Sequence, residues 1–327
     1  MKNVKRFDTE SAYNAFVNTN AFVRPNISLC ADTYSIVYNK VLPTVHDYSL
    51  DYFTLVALEN GLFKIENAWN PTSSAEGSYD EYGIKYSLDN GNTWNNFEFD
   101  DIEWENGYTA VSVNTGDKML LKAIRSHWNG DSDEPFKIVS TGQFNVEGNI
   151  MSLIWGDDFV GKTNFLNNYD VPESGDSDYR GSCALQQTFY QNTYLINAEN
   201  LILPALQLGE SCYYGMFEGC TSLIAAPQLP ATTLAEYCYT NMFTGCTSLT
   251  TAPDLLAATL VSNCYYYMFN GCSSLNYIKM LATNYDFSSL NDWVDGVAAS
   301  GTFVKSVAQT DLTIGNEIPE GWTVESV

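Results

Sequence analysis

Gly156-Asp157-Asp158-Phe159-Val160-Gly161-Lys162-Thr163 satisfies G-x-x-x-x-G-K-T, the pattern of a loop that wraps phosphate with backbone N–H groups and a lysine. Two carboxylates stand in this loop where phosphate oxygens would lie. The downstream NFLNNYDVPESGDSDY does not read as the long helix of a parallel nucleotide-binding fold. Nucleotide binding is therefore only a second alternative. His46 and His127 lie in unrelated segments, with no nucleophile elbow and no zinc-binding HExxH pattern beside them. Asp131, Asp133 and Glu134 form an acidic loop without the glycine and terminal glutamate of an EF-hand, and Asp176 and Asp178 form another. Acidic loops of this kind read as solvated surface. No catalytic residue, cofactor or metal is assigned, and the chain is not read as an enzyme.

Eight cysteines could suggest a disulfide framework, but six of them are positions of a repeat. Cys212, Cys238 and Cys264 are 26 residues apart, as are Phe217, Phe243 and Phe269, and Cys220, Cys246 and Cys272. Metal-binding thiolates need close thiolate, imidazole or carboxylate partners, and none accompany these columns. They are expected to be reduced and buried. A period of 20 to 29 residues indicates a solenoid. Within one unit, Leu234, Tyr237, Cys238 and Met242 follow i, i+3, i+4, i+8, which predicts an amphipathic helix ending near Gly245 and followed by a short strand. The repeated Cys, Tyr, Met, Phe and Leu columns are then core. The outward columns are Tyr214/Thr240/Tyr266, Gly215/Asn241/Tyr267 and Gln228/Asp254. Tyr214, Tyr266 and Tyr267 are the candidate ligand-binding residues, because rings with polar tips suit sugar faces and protein contacts.

The MF-x-G-C-[TS]-S-L core, with an LPATTL-type segment after it, resembles the BspA-like leucine-rich repeats of gut Bacteroidetes over about residues 184 to 283. The flanks FNVEGNIMSLIWGDDF and WVDGVAASGTF…IPEGWTV resemble the same group, which extends to phages, crAss-like phages among them. The resemblance implies a surface-exposed recognition or structural protein and carries over no catalytic residue. A second, eight-residue resemblance is Ser87-Leu88-Asp89-Asn90-Gly91-Asn92-Thr93-Trp94, which is similar to the Asp box of sialidases and other β-propellers. That box is a folding element, and a single copy implies no glycosidase.

The elements that would position these residues fall into three parts. Residues 1–50 read as a small α+β attachment module, with a helix near 9–18. Residues 51–140 read as an immunoglobulin-like β-sandwich, from FTLVAL, GLFKI, YGIKYSL, WNNFEF, TAVSV and MLLKAI between Gly, Asn and Asp turns. Residues 141–327 read as the leucine-rich-repeat-like α/β solenoid with its caps, so the expected fold class is mixed. The chain has 15 Lys+Arg against 39 Asp+Glu, a net charge of -24, which repels nucleic acid and anionic lipid. No run of apolar residues is long enough to span a membrane. MKNVKR runs straight into FDTESAYNAF, so no secretory leader is expected. These features favour a phage virion protein, a head or tail fibre or decoration, in contact with other virion proteins and with a host glycan or protein. A homo-oligomer is expected. A bacterial surface adhesin is the alternative.

Overall fold

In a computed structural model the described residues are 46–67, 84–97, 110–123, 136–163 and 185–327. Most of the expected attachment module lies outside them, with its helix, as do His127 and both acidic loops. Asp47–Val327 is one compact unit.

The β-rich half folds because apolar residues alternate along short strands broken by polar turns. Its strands are β1 (Phe53–Ala57), β2 (Gly61–Asn67), β3 (Ile84–Ser87), β4 (Asn95–Asn96), β5 (Val111–Val113), β6 (Lys118–Ala123), β7 (Phe136–Ser140) and β8 (Phe144–Asn149). In β5, for instance, Val111 and Val113 are buried while Ser112 is exposed. A ninth strand, β9 (Leu195–Ile202), joins from the repeat region. The larger sheet has the order β4-β3-β6-β1-β8-β9, and a three-stranded sheet has the order β5-β2-β7. Phe63 of β2 meets Phe144 of β8 edge to face at 5.2 Å, so the two sheets share a core.

The immunoglobulin-like sandwich expected within 51–140 is not a closed unit. β8 pairs antiparallel with β1 and parallel with β9, so one sheet runs through residue 140 into the repeats. Phe189 of the first repeat lies against both Phe53 and Phe144, at 6.1 and 6.4 Å. β9 in turn bridges to Ala225 of the next repeat.

The helix-bearing α/β solenoid is also corrected. The described residues are mostly β and turn, their sheets are open, and their only α-helix is α1 (Ser152–Trp155). In a helix each N–H would bond four residues back. Instead Cys238, Thr240, Met242, Thr244 and Cys246 bond three residues back, to Ala235, Tyr237, Tyr239, Asn241 and Phe243. The intervening Tyr239, Asn241, Phe243 and Gly245 donate across to Cys264, Tyr266, Met268 and Asn270 of the next repeat. Every fourth residue takes the left-handed conformation that ends a helical turn: Tyr237 at φ 55°, Asn241 at 57° and Gly245 at 73°. Each repeat is a chain of four-residue turns, laddered to its neighbours by alternate amides.

This ladder stacks identical side chains on one another. Phe189, Phe217, Phe243 and Phe269 have successive centroid spacings of 5.3, 5.3 and 5.6 Å, with planes within 10°. Tyr213, Tyr239 and Tyr265 form a second buried column. Trp293 closes both columns, lying 6.4 Å from Tyr265 and 6.1 Å from Phe269, and its indole N–H donates to the Glu317 carbonyl. Beyond it, β10 (Tyr277–Met280), β11 (Thr302–Lys305) and β12 (Thr323–Ser326) form a parallel sheet.

The six repeat cysteines are free and buried. The thiols of Cys220, Cys246 and Cys272 donate to the carbonyls of Phe189, Phe217 and Phe243 in the preceding repeat, at 3.0 to 3.1 Å. Burial pushes the Cys264 and Cys272 thiols up to about 12 and keeps them protonated. All six are therefore expected to resist alkylation in the native protein at pH 8 and to react once it is denatured, as read by mass mapping of labelled peptides. Labelling of any of the six in the folded protein would contradict this packing.

Candidate functional site

The turn ladder decides where the candidate tyrosines go. In each repeat the Cys, Met and Phe side chains fill the core, and half-buried side chains such as Asn241, Tyr266 and Tyr267 sit at or beside left-handed positions. Tyr214 and Tyr266 occupy the same position two repeats apart, and Tyr267 occupies the left-handed position next to Tyr266, at φ 55°. All three are half-buried. Tyr266 and Tyr267 meet at right angles, with centroids 4.3 Å apart. Tyr214 and Tyr266 share a column of the ladder and Tyr267 contacts Tyr266, so the three candidates fall on one side of it.

Thr240, expected outward between Tyr214 and Tyr266, is buried at 2% exposure, and its hydroxyl donates to the Asn263 carbonyl at 2.6 Å. The middle repeat thus presents a low floor between two tyrosines. Asn241 stands beside it, and its amide donates to the Tyr214 hydroxyl at 3.3 Å. Glu218 is half-buried nearby, and burial raises its pKa while Asn241 acts against the rise. Burial, then the Glu218 charge, raises the Tyr214 phenol. Tyr267 is pushed up to about 12 by hydrogen bonding with Tyr266 and Asp292. The surface is a set of neutral hydroxyl and amide groups with two carboxylates beside them. Of the remaining outward column, Gln228 is exposed and Asp254 pairs with Lys279 at 2.6 Å.

Sequence reasoning missed Tyr190, Glu218, Asn241 as a hydrogen-bonding partner, and Asp292. The recurrence of Gly or Asn at four-residue intervals, as in Gly215 and Gly219 or Asn241 and Gly245, is the signal that could have placed Asn241 at a turn, since these types tolerate the left-handed conformation.

The phosphate-loop lookalike takes a different form from a nucleotide cradle. It follows the one-turn helix α1 rather than a strand. Asp157 accepts from the Tyr52 hydroxyl and from Lys122 Nζ, both at 2.6 Å. Lys122, then Tyr52, holds its carboxyl below the usual range. Lys162 Nζ lies 4.0 Å from the Trp155 ring centroid, a cation–π contact. The lysine and the Asp157 carboxylate are thus placed by other contacts. Titration with Mg-ATP is expected to show no binding at micromolar concentration; micromolar affinity that disappears in Lys162→Ala would overturn this reading.

The Asp-box resemblance forms a closed turn between β3 and β4. Asp89 accepts from the Thr93 amide at 2.8 Å, the Thr93 hydroxyl at 2.7 Å and the Ser87 hydroxyl at 2.7 Å, and Ser87 Oγ accepts from the Gly91 amide at 2.9 Å. These bonds, led by that of the Thr93 amide, lower the Asp89 pKa to about 2. Trp94 packs edge-on against Tyr52 at 5.0 Å, with Lys122 Nζ 4.1 Å over its ring. The Ser87, Asp89, Asn92 and Thr93 side chains are committed to holding the turn.

Among the described residues no three His, Cys, Asp or Glu side chains converge as a metal site, and no helix is long and apolar enough to cross a membrane. No family model matches the chain, and no curated protein or solved structure shows significant similarity to it.

Proposed function

We propose that this chain is a non-catalytic recognition protein of a phage particle, a fibre or decoration that presents the outward face of its turn ladder to a host surface. One observation carries the reading: the Cys, Tyr, Met and Phe columns of the core repeat without change, while the column of Gly215, Asn241 and Tyr267 beside them carries a different residue in each repeat. A stack built only for rigidity has no need of that variation. The ladder also supplies what recognition requires, side chains held on a hydrogen-bonded frame that loses little freedom on binding.

The assignment to a phage rests on the resemblance of the MF-x-G-C-[TS]-S-L repeats and their flanks to BspA-like chains. Mass spectrometry of purified particles tests it. Peptides of this chain in stoichiometric amounts would support the reading; their absence from particles, together with their presence on bacterial surfaces, would replace it with the adhesin.

A further inference from the structure

The charge of the stack narrows what this face can take. From residue 185 to 278 the sequence has no Lys, Arg or His, yet it contains Glu199, Glu210, Glu218, Glu236 and Asp254. An acidic ligand would find no cation there and would approach a negative surface. That argues against nucleic acid and against uronate, sialylated or sulfated chains.

The shape narrows it further. Tyr214 and Tyr266 stand two layers apart, about 10 Å at ordinary strand spacing. Thr240 forms the floor between them, and its hydroxyl is already used. The exposed aliphatic residues of the repeats, Leu206, Ile224 and Leu256, lie outside the turn segments that carry the tyrosines. The notch therefore lacks the apolar centre of a protein-binding interface. It offers aromatic faces at right angles in Tyr266 and Tyr267, with the Glu218 carboxylate and the Asn241 amide, whose N–H already donates to the Tyr214 hydroxyl, within the same surface. Stacking faces with amide and carboxylate groups at their edge match a pyranose ring, whose C–H face is apolar and whose rim is hydroxyl.

We propose that the notch between Tyr214 and Tyr266, floored by Thr240 and edged by Asn241, Glu218 and Tyr267, binds a non-acidic glycan, neutral or carrying amino sugars. The inference rests on the recognition reading above and names the class of its ligand. Two linked sugar rings span the two layers, and the small footprint makes single-site binding weak and dependent on multiple copies.

The test is an immobilised array of neutral, amino-sugar and acidic oligosaccharides, probed with the full chain and with Tyr266→Ala/Tyr267→Ala and Asn241→Ala, each checked for an unchanged melting temperature. The wild type is expected to bind members of the neutral or amino-sugar sets, and the folded variants to lose at least tenfold in apparent affinity. Where the double alanine variant melts early, Tyr266→Phe/Tyr267→Phe keeps the packing and is expected to weaken binding by removing the hydroxyls. Binding confined to acidic glycans, no binding on the array, or binding undiminished in the folded variants would each overturn the proposal. A chain that binds host cells but no glycan would leave the recognition reading standing with a protein receptor.

Discussion

Phe243→Ala is expected to destabilise the folded chain by about 3 to 5 kcal/mol. The side chain is fully buried and stacked on both faces, at 5.3 Å from Phe217 and 5.6 Å from Phe269. Removing it leaves a cavity between two layers that cannot close, because the backbone ladder fixes their separation. Phe243 also donates its amide to Met268, and its carbonyl accepts the Cys272 thiol, so distortion of this layer reaches the next repeat. Chemical denaturation followed by tyrosine and tryptophan fluorescence checks it. Phe287→Ala serves as the control: its ring is 78% exposed, and its loss is expected to change stability by no more than about 0.5 kcal/mol. Equal midpoints for the two variants would show that the phenylalanine column is not core.

The second large effect falls at the junction of sheet and repeats. Gly148 lies in β8 at φ 83°, and an added Cβ would run into the carbonyl of Tyr52 and crowd that of Asp51. Both obstacles are backbone. Gly148→Ala therefore combines left-handed strain of about 1 to 2 kcal/mol with a clash of about 1 to 3 kcal/mol or more. Gly116, at φ 90°, has nothing within 4 Å of the same position, so Gly116→Ala isolates the strain alone. The expected order of stability is wild type, then Gly116→Ala, then Gly148→Ala. Parity of the two variants would mean that β8 does not run against Tyr52 as described.

The repeat and its core were legible because period and burial are written in residue type. Cys212, Met216, Phe217 and Cys220 and their equivalents are all buried. The helix was misread for a specific reason. A four-residue turn repeat places apolar residues at i, i+4 and i+8, the same offsets that a helix shows over two turns. Tyr237 separates the two readings: it completes the apolar stripe of a helix, yet it is exposed at a left-handed position. Thr240 was lost with it, since a turn and a helix of this sequence present different faces. The strands from Phe53 to Ala123 were legible from alternation with turn residues. The pairing of β8 with β9 was not, because 45 residues lie between Asn149 and Leu195 and parallel pairing leaves no local turn to announce it. Of the site, the tyrosines were legible as variable aromatic positions. Glu218 and Asn241 were not, because their role depends on which layers the ladder brings together.

The claim that the outward turn face does the recognising is tested most directly by one binding measurement. Purified Tyr214→Ala/Tyr266→Ala/Tyr267→Ala, shown to be folded, is compared with the wild type for binding to host cells. We predict a loss of at least tenfold, about 1.4 kcal/mol or more, since aromatic anchors carry most of a small interface. Unchanged binding by the folded triple variant would contradict the account.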